Sequence, residues 1–184
     1  MSLRPILTTE DPRLRQRAHA VDRFTDDLQA LINDMVETMR AAPGVGLAAT
    51  QLGIRQRVIV VEYPPETVPR PGQDDLDGAD DEESAPPKLY VVVNPEISRR
   101  SAETVTAAEG CLSIPGYMGD VARNASVTVK GLNRRGKPFQ LKARGWTARI
   151  FQHEIDHLDG VLFIDRAERV WRPETAPDEP APQG

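Results

Sequence analysis

The residues best suited to chemistry are His153, Glu154 and His157, which lie within the run Gln152-His153-Glu154-Ile155-Asp156-His157-Leu158-Asp159-Gly160 and include two of the chain's three histidines. On an α-helix, positions four apart sit one above the other, so His153 and His157 can each aim a ring nitrogen at one point. A metal ion fits that point. Glu154 projects about 100° round the helix from His153, which makes it a poor ligand but places it to reach a water held by the ion, as a general base. A pair of surface histidines would show the same spacing. Ile150, Phe151 and Ile155 argue for a buried helix instead, and burying two histidines and a glutamate is costly unless something pairs with them.

A catalytic metal site ordinarily has three protein ligands and one open position. Gly160 fits the longer metallopeptidase pattern His-Glu-x-x-His-x-x-Gly-x-x-His, but its last position here is Phe163. Glu168 is the best downstream carboxylate, although Arg166 and Arg169 beside it suit it to a surface ion pair. His19, among Arg15, Arg17 and Ala20, reads as a surface residue. Cys111 remains, in Glu109-Gly110-Cys111-Leu112-Ser113-Ile114-Pro115-Gly116. A lone cysteine can equally be a small buried apolar residue. As a ligand it would join two neutral imidazoles with a thiolate, leaving about one positive charge on a divalent ion.

A third unusual stretch is Gly44-Val45-Gly46-Leu47-Ala48-Ala49-Thr50-Gln51-Leu52-Gly53. Glycine lets another backbone approach closely, so the segment could cradle an extended peptide or a phosphate, or form a tight structural turn. It has neither the Lys-Ser/Thr end of a nucleotide loop nor the spacing of a dinucleotide fingerprint.

The elements that would position these residues can be read from periodicity. Thr25, Asp26 and Asp27 suit a helix start, and Leu28, Leu31, Ile32, Met35, Val36 and Met39 recur at helical spacing, so a helix is predicted over 26–40 with Pro43-Gly44 beyond its end. Short β-branched runs predict strands at Val58 to Val61, Leu89 to Val93, Glu103 to Ala107 and Ser126 to Leu132. Residues 133–137 form a turn into Pro138 to Ala143, making a hairpin. Gly145 introduces the histidine helix, Gly160 ends it, and Val161 to Ile164 is expected as one more short strand. The fold class is therefore α+β, with mostly antiparallel sheets around a central metal-binding helix.

The 184 residues suit one domain that buries a core without disulfides, which a single cysteine excludes within the chain. No apolar run approaches a membrane span and Met1 to Pro5 lacks a secretion signal, so a cytoplasmic protein with a free thiol is expected. The net charge of −5 hides an asymmetry: residues 64–88 carry −6 and residues 173–184 carry −3, which leaves +4 on the rest. These two stretches hold ten of the sixteen prolines and almost no large apolar residue. They cannot bury enough surface to offset the entropy of ordering, and are expected to be a disordered insertion and a disordered tail on a single catalytic domain spanning 1–172.

Taken together, the three chemical stretches resemble the peptide deformylase family, whose motifs are Gly-Φ-Gly-Φ-Ala-Ala-x-Gln, Glu-Gly-Cys-Φ-Ser and His-Glu-Φ-Asp-His, with Φ apolar. All three are matched without a gap and in order, at Gly44 to Gln51, Glu109 to Ser113 and His153 to His157, and the likeness extends from Leu3 to about Asp165. The resemblance implies metal-dependent hydrolysis of the formyl group from the N-formyl-methionine of newly made polypeptides. Cys111, His153 and His157 would hold the ion, ferrous iron in the usual form of the family, with zinc, nickel or cobalt as substitutes. Glu154 would move the proton, while the Gln51 amide and the backbone N–H of Leu112 would meet charge on the formyl oxygen. The resemblance also implies substrate contacts at Gly44, Val45, Gly46, Glu109, Gly110, Trp146 and Arg149, with Glu109 and Ser113 supporting the site. Trp146 and Arg149 stand where the family often has aliphatic pocket residues. The partners implied are formyl-methionyl nascent peptides and at most a transient ribosome contact, with no DNA and no membrane. Some members end in a long C-terminal helix that docks on the ribosome, and here an acidic, proline-rich stretch stands in its place. Two other readings compete. A zincin-like metallopeptidase would need a further downstream ligand, and a non-catalytic binding module stapled by the same metal would leave Glu154 and Gln51 without a role.

Overall fold

A computed structural model describes residues 2–64 and 86–173. Most of the expected insertion and tail, residues 65–85 and 174–184, lies outside the described residues.

The first helix, α1 (Asp26–Ala41), forms for the reasons its sequence carries. The Thr25 hydroxyl accepts the Leu28 N–H at 3.3 Å, Asp26 and Asp27 meet the positive end of the helix, and the apolar stripe from Leu28 to Met39 is buried. Among the described residues eight strands follow, in two antiparallel sheets. They are β1 (Gly46–Ala48), β2 (Val58–Tyr63), β3 (Lys88–Arg100), β4 (Thr104–Cys111), β5 (Ile114–Asn124), β6 (Ser126–Leu132), β7 (Pro138–Arg144) and β8 (Arg169–Trp171). One sheet has the order β1-β2-β3-β6-β7 and the other β4-β5-β8. The second helix, α2 (Gly145–Leu158), lies between β7 and β8 in the chain. The class is thus α+β.

The run Val58 to Val61 is apolar at every position because the five-stranded sheet is covered on both faces there. Val58 and Val60 pack with Met35, Met39 and the rest of the α1 stripe, whereas Ile59 and Val61 pack with Phe151, Ile155 and Leu158 of α2. A third cluster, built on Leu14, Ile114, Val121, Leu162 and Phe163, sits against the smaller sheet.

Several expectations are corrected. Residues 161–164 do not form a strand: Phe163–Asp165 is a turn of 3₁₀ helix, and Asp165 accepts the Leu162 N–H at 2.8 Å. The short strand comes later, as β8. Lys88, placed in the insertion from composition, begins β3 and pairs with Tyr63. Strand β5 has no counterpart in the sequence reading, because Gly116, Gly119 and Asp120 interrupt its apolar pattern, yet it is the central strand of its sheet. Gly46 to Ala48, read as cradle or turn, is a short edge strand.

Candidate active site

Strand β7 turns directly into α2 at Gly145, whose φ of +49° is disfavoured for any residue with a Cβ. Eleven of the fourteen helix residues are buried, which fixes the faces that His153, Glu154 and His157 present. The ring atoms Nε2 of His153 and His157 approach to 3.2 Å, and Cys111 Sγ lies 3.2 Å from His157 Nε2. One ligand atom from each of Cys111, His153 and His157 falls within 4.8 Å of the others. Cys111 comes from the end of β4, where the ladder to β5 slips between Gly110 and Cys111 and releases the thiol from the regular pleat.

These three residues fit a divalent ion. Two imidazole nitrogens and a sulfur converge on one small volume, a donor set suited to first-row transition ions. Glu109 carries a further sign of this. Its Oε2 lies 3.0 Å from His153 Nδ1, so the ionised carboxylate accepts a hydrogen bond from Nδ1–H and holds Nε2 as the atom facing Cys111 and His157. Burial pushes Glu109 up, but hydrogen bonds from His153 and Arg123 outweigh it and hold the carboxyl at about 2.

Glu109 also accepts from Arg123 Nε at 2.9 Å, Arg123 Nη2 at 3.0 Å and Arg149 Nη1 at 2.7 Å. Arg123 continues to Asp156, which Arg166 grips through Nε and Nη2 at 2.6 and 2.7 Å. A buried chain of charges therefore ties α2 to β4 and β5. Arg149, expected in a substrate pocket, lines the cleft but spends its guanidinium on Glu109 and on the carbonyls of Val121 and Val105. Arg166 serves Asp156, so the ion pair expected between Glu168 and its arginine neighbours is not among the pairs formed by the described residues.

Gln51 sits on a turn of 3₁₀ helix, Ala49–Leu52, and is 2% exposed. Its Oε1 accepts the Ala48 N–H at 2.9 Å, which turns Nε2 toward Ser113 Oγ at 3.1 Å and Cys111 Sγ at 3.6 Å. Glu154 is buried, and burial pushes it up to about 7 against the opposing charge of His153. Its Oε2 has no partner among the described residues. The carboxylate lies against Gly46, where a Cβ would meet Glu154 Cδ at 2.8 Å and Cγ at 2.9 Å. Gly46 is therefore needed to make room for Glu154, whatever else it contacts.

A cleft of about 580 Å³ opens over these groups. Every sequence-predicted site residue except His157 and the supporting Ser113 lines it: Gly44, Val45, Gly46, Gln51, Glu109, Gly110, Cys111, Leu112, Trp146, Arg149, His153 and Glu154. His157 sits beneath, 1% exposed. The sequence reading missed Tyr63, Ile150, Tyr117 and Met118 in the lining. Ile150 was legible, being one helical turn before His153. Met118 was not, because its place depends on the register that sets it opposite Gly110.

The polypeptide deformylase family model matches residues 3–172. The chain belongs to the peptide deformylase family. A peptide deformylase of Thermomicrobium roseum is 44% identical over 179 residues, covering 97% of this chain and 94% of its own. The crystal structure of a peptide deformylase from Legionella pneumophila superposes with a TM-score of 0.74 at 41% identity, covering 90% of this chain and 86% of its own. That of a class I type b peptide deformylase from Acinetobacter baumannii with Met-Ala-Ser bound gives 0.77 at 35% identity, covering 90% and 98%. The family's reaction, metal-dependent hydrolysis of the formyl group from N-terminal N-formyl-methionine with release of formate, is this chain's reaction.

Proposed function

We propose that Cys111, His153 and His157 hold the catalytic ion, that Glu154 carries the proton and that Gln51 and Leu112 stabilise the developing negative charge. The observation that carries this reading is the convergence of one sulfur and two ring nitrogens within 4.8 Å at the base of the cleft, with Cys111, His153 and Glu154 in its lining and His157 beneath. An ion held there supplies Lewis acidity, which makes water a usable nucleophile near neutral pH. Glu154 takes the proton from the attacking water and delivers it to the leaving amine. The Gln51 amide, pinned by Ala48 with Nε2 toward the site, and the Leu112 N–H donate to the formyl oxygen as it gains charge. Glu109 keeps His153 in the tautomer that offers Nε2.

In this reading the substrate chain lies along β1, the edge strand next to the cleft, and makes backbone contacts at Gly44 to Gly46 and Gly110. The methionine side chain enters the apolar part of the cleft near Ile150 and Trp146, with the stem of Arg149 forming one wall. Helix α2 is the central metal-bearing element of a single catalytic domain spanning 1–172. Ferrous iron is the ion in the cell, as the family resemblance implies, and zinc, nickel or cobalt can substitute, because a thiolate and two imidazoles accept all four. The enzyme works in the cytoplasm, and its contact with the ribosome is transient.

The test is anaerobic turnover of N-formyl-Met-Ala-Ser by iron- or nickel-loaded protein beside Cys111→Ala and Glu154→Ala. The expected result is fast release of formate by the parent alone, with metal content kept in Glu154→Ala and lost in Cys111→Ala. A Glu154→Ala variant that turns over normally would remove the proposed base.

A further inference from the structure

Strand β6, its turn and β7, residues 126–144, carry six Lys or Arg and no Asp or Glu. The ladder shows where part of this charge goes. Arg99 and Lys142 are both partners of Thr128, and Arg144 is the partner of Ser126, whose carbonyl accepts the Ser101 N–H. Side chains in one transverse row share a face, so Arg99, Thr128 and Lys142 stand together, with Ser126 and Arg144 in the next row on that face, about 7 Å away. The intervening Val127 and Ala143 point the other way, into the core beneath α2.

The result is a groove of about 210 Å³. Thr128 and Ser126 form its floor, Arg99 stands on one side and Lys142 and Arg144 on the other, and Arg100, in the row of Val127, also lines it. None of the four cations pairs with a carboxylate among the described residues, although most arginines near α2 do. The groove crosses three paired strands, so the backbone groups beneath it are already used in the ladder and only side chains are left for recognition.

We propose that this groove binds the phosphodiester backbone of RNA. Arg, Lys, Ser and Thr are the side chains that contact phosphates, and here cations flank a hydroxyl floor at the spacing of a strand's alternate residues. A lipid surface fits worse, since the face offers no large apolar side chain to insert. An added acidic peptide strand would pair with the free edge of β7, outside the groove. Arg144 also stands two residues before Trp146 on the rim of the catalytic cleft, so RNA held here lies beside the entrance to the active site. The inference rests on charge and register, and it stands apart from the assignment of the catalytic residues.

The test is anisotropy of a labelled single-stranded RNA of mixed sequence with the full-length protein, titrated between 20 and 200 mM KCl. Binding is expected to weaken with salt. The triple variant Arg99→Gln, Lys142→Gln, Arg144→Gln should bind at least tenfold more weakly at low salt, with the log–log slope reduced by about 2, roughly 0.7 for each lost phosphate contact. Its turnover of N-formyl-Met-Ala-Ser should match the parent, which also reports that it is folded. Lys142→Glu alone should show the same direction. A second triple variant at the hairpin turn, Arg134→Gln, Arg135→Gln, Lys137→Gln, removes the same charge elsewhere and should bind nearly as the parent does. The proposal is overturned by absence of RNA binding at 20 mM KCl, by an unchanged slope in the groove variant, or by equal losses in both triple variants. Binding to phosphatidylglycerol vesicles or to a peptide of residues 65–85 in place of RNA would also overturn it.

Discussion

Gly46→Ala is the most informative single change, because it tests whether this glycine makes room for the base or for the substrate. A Cβ at position 46 would lie 2.8 Å from Glu154 Cδ and 2.9 Å from Cγ, with Oε1 closer still. Ordinary contact begins at 3.4 Å, so Cδ must retreat by about 0.6 Å and the carboxylate oxygen by more. Glu154 is only 4% exposed and has little space to retreat into, so part of the overlap becomes strain, about 1–3 kcal/mol by analogy with overfilled cores. A displacement of about 1 Å in a catalytic group costs about 10²-fold in rate, or about 2.7 kcal/mol in the barrier. Steady-state kinetics on N-formyl-Met-Ala-Ser should therefore show kcat lowered about a hundredfold with KM little changed. Metal content should stay stoichiometric, since Cys111, His153 and His157 are untouched. A variant with kcat within threefold of the parent would refute the argument that Gly46 positions Glu154. A rise in KM at constant kcat would assign Gly46 to the substrate instead.

Two further outcomes follow from the charges around the metal centre. Glu109→Gln should lower stability at pH 7 by about 3–5 kcal/mol, because two buried arginines lose their anion. The Glu109 pKa lies at about 2 in the folded protein against an ordinary 4.5, so its contribution is complete above 4.5 and is lost as pH falls through about 2. Urea midpoints of parent and variant should converge as pH falls from 4.5 to about 2, and a gap that stays constant with pH would contradict the ionised-carboxylate assignment. Ion binding should also displace protons. Burial opposes the charge on His153, but hydrogen bonds to Cys111 and Glu109 outweigh it and raise its pKa well above the ordinary value, so near neutrality the ion must displace that proton as well as any on the thiol. Calorimetric titration with nickel in buffers of different ionisation heat should report about one to two protons released per ion at pH 7, and zero release would contradict the ligand set.

The parts of the fold that could be read from the chain are those whose stability is local. Helix α1 has its cap, its acidic first turn and its apolar stripe within sixteen residues, so its limits came out within one residue of the structure. Strand β6 and the turn at 133–137 were equally self-contained. Strand β5 failed that test because its glycines answer to neighbours elsewhere in the fold: a Cβ on Gly119 would press on Phe163 and Ala167, contacts with no trace in the local pattern. Arg149 does line the cleft, but its partner and that of Arg166 were missed for a related reason. Their neighbours in sequence suggested a pocket and a surface pair, but their guanidinium groups answer to Glu109 and Asp156.

The amino-acid sequence by itself determined which residues are proposed for the chemistry. Two histidines one turn apart and a glutamate beside the first point to a metal site with a base through helical geometry and residue type, and the likeness of the three gapless motifs to the peptide deformylases implies the rest of the proposed set. What only the tertiary structure decided is how those atoms are held. Cys111 reaches the histidines because a slip in the β4–β5 ladder turns its thiol toward α2, and Glu109 can set the His153 tautomer only because the arginines of β5 and α2 share its charge in a buried space. Glu154 has its place because a strand paired to β2 presents a residue with no side chain. Each of these depends on contacts between segments distant in the chain, and such contacts are fixed by register and packing, which no local spacing encodes.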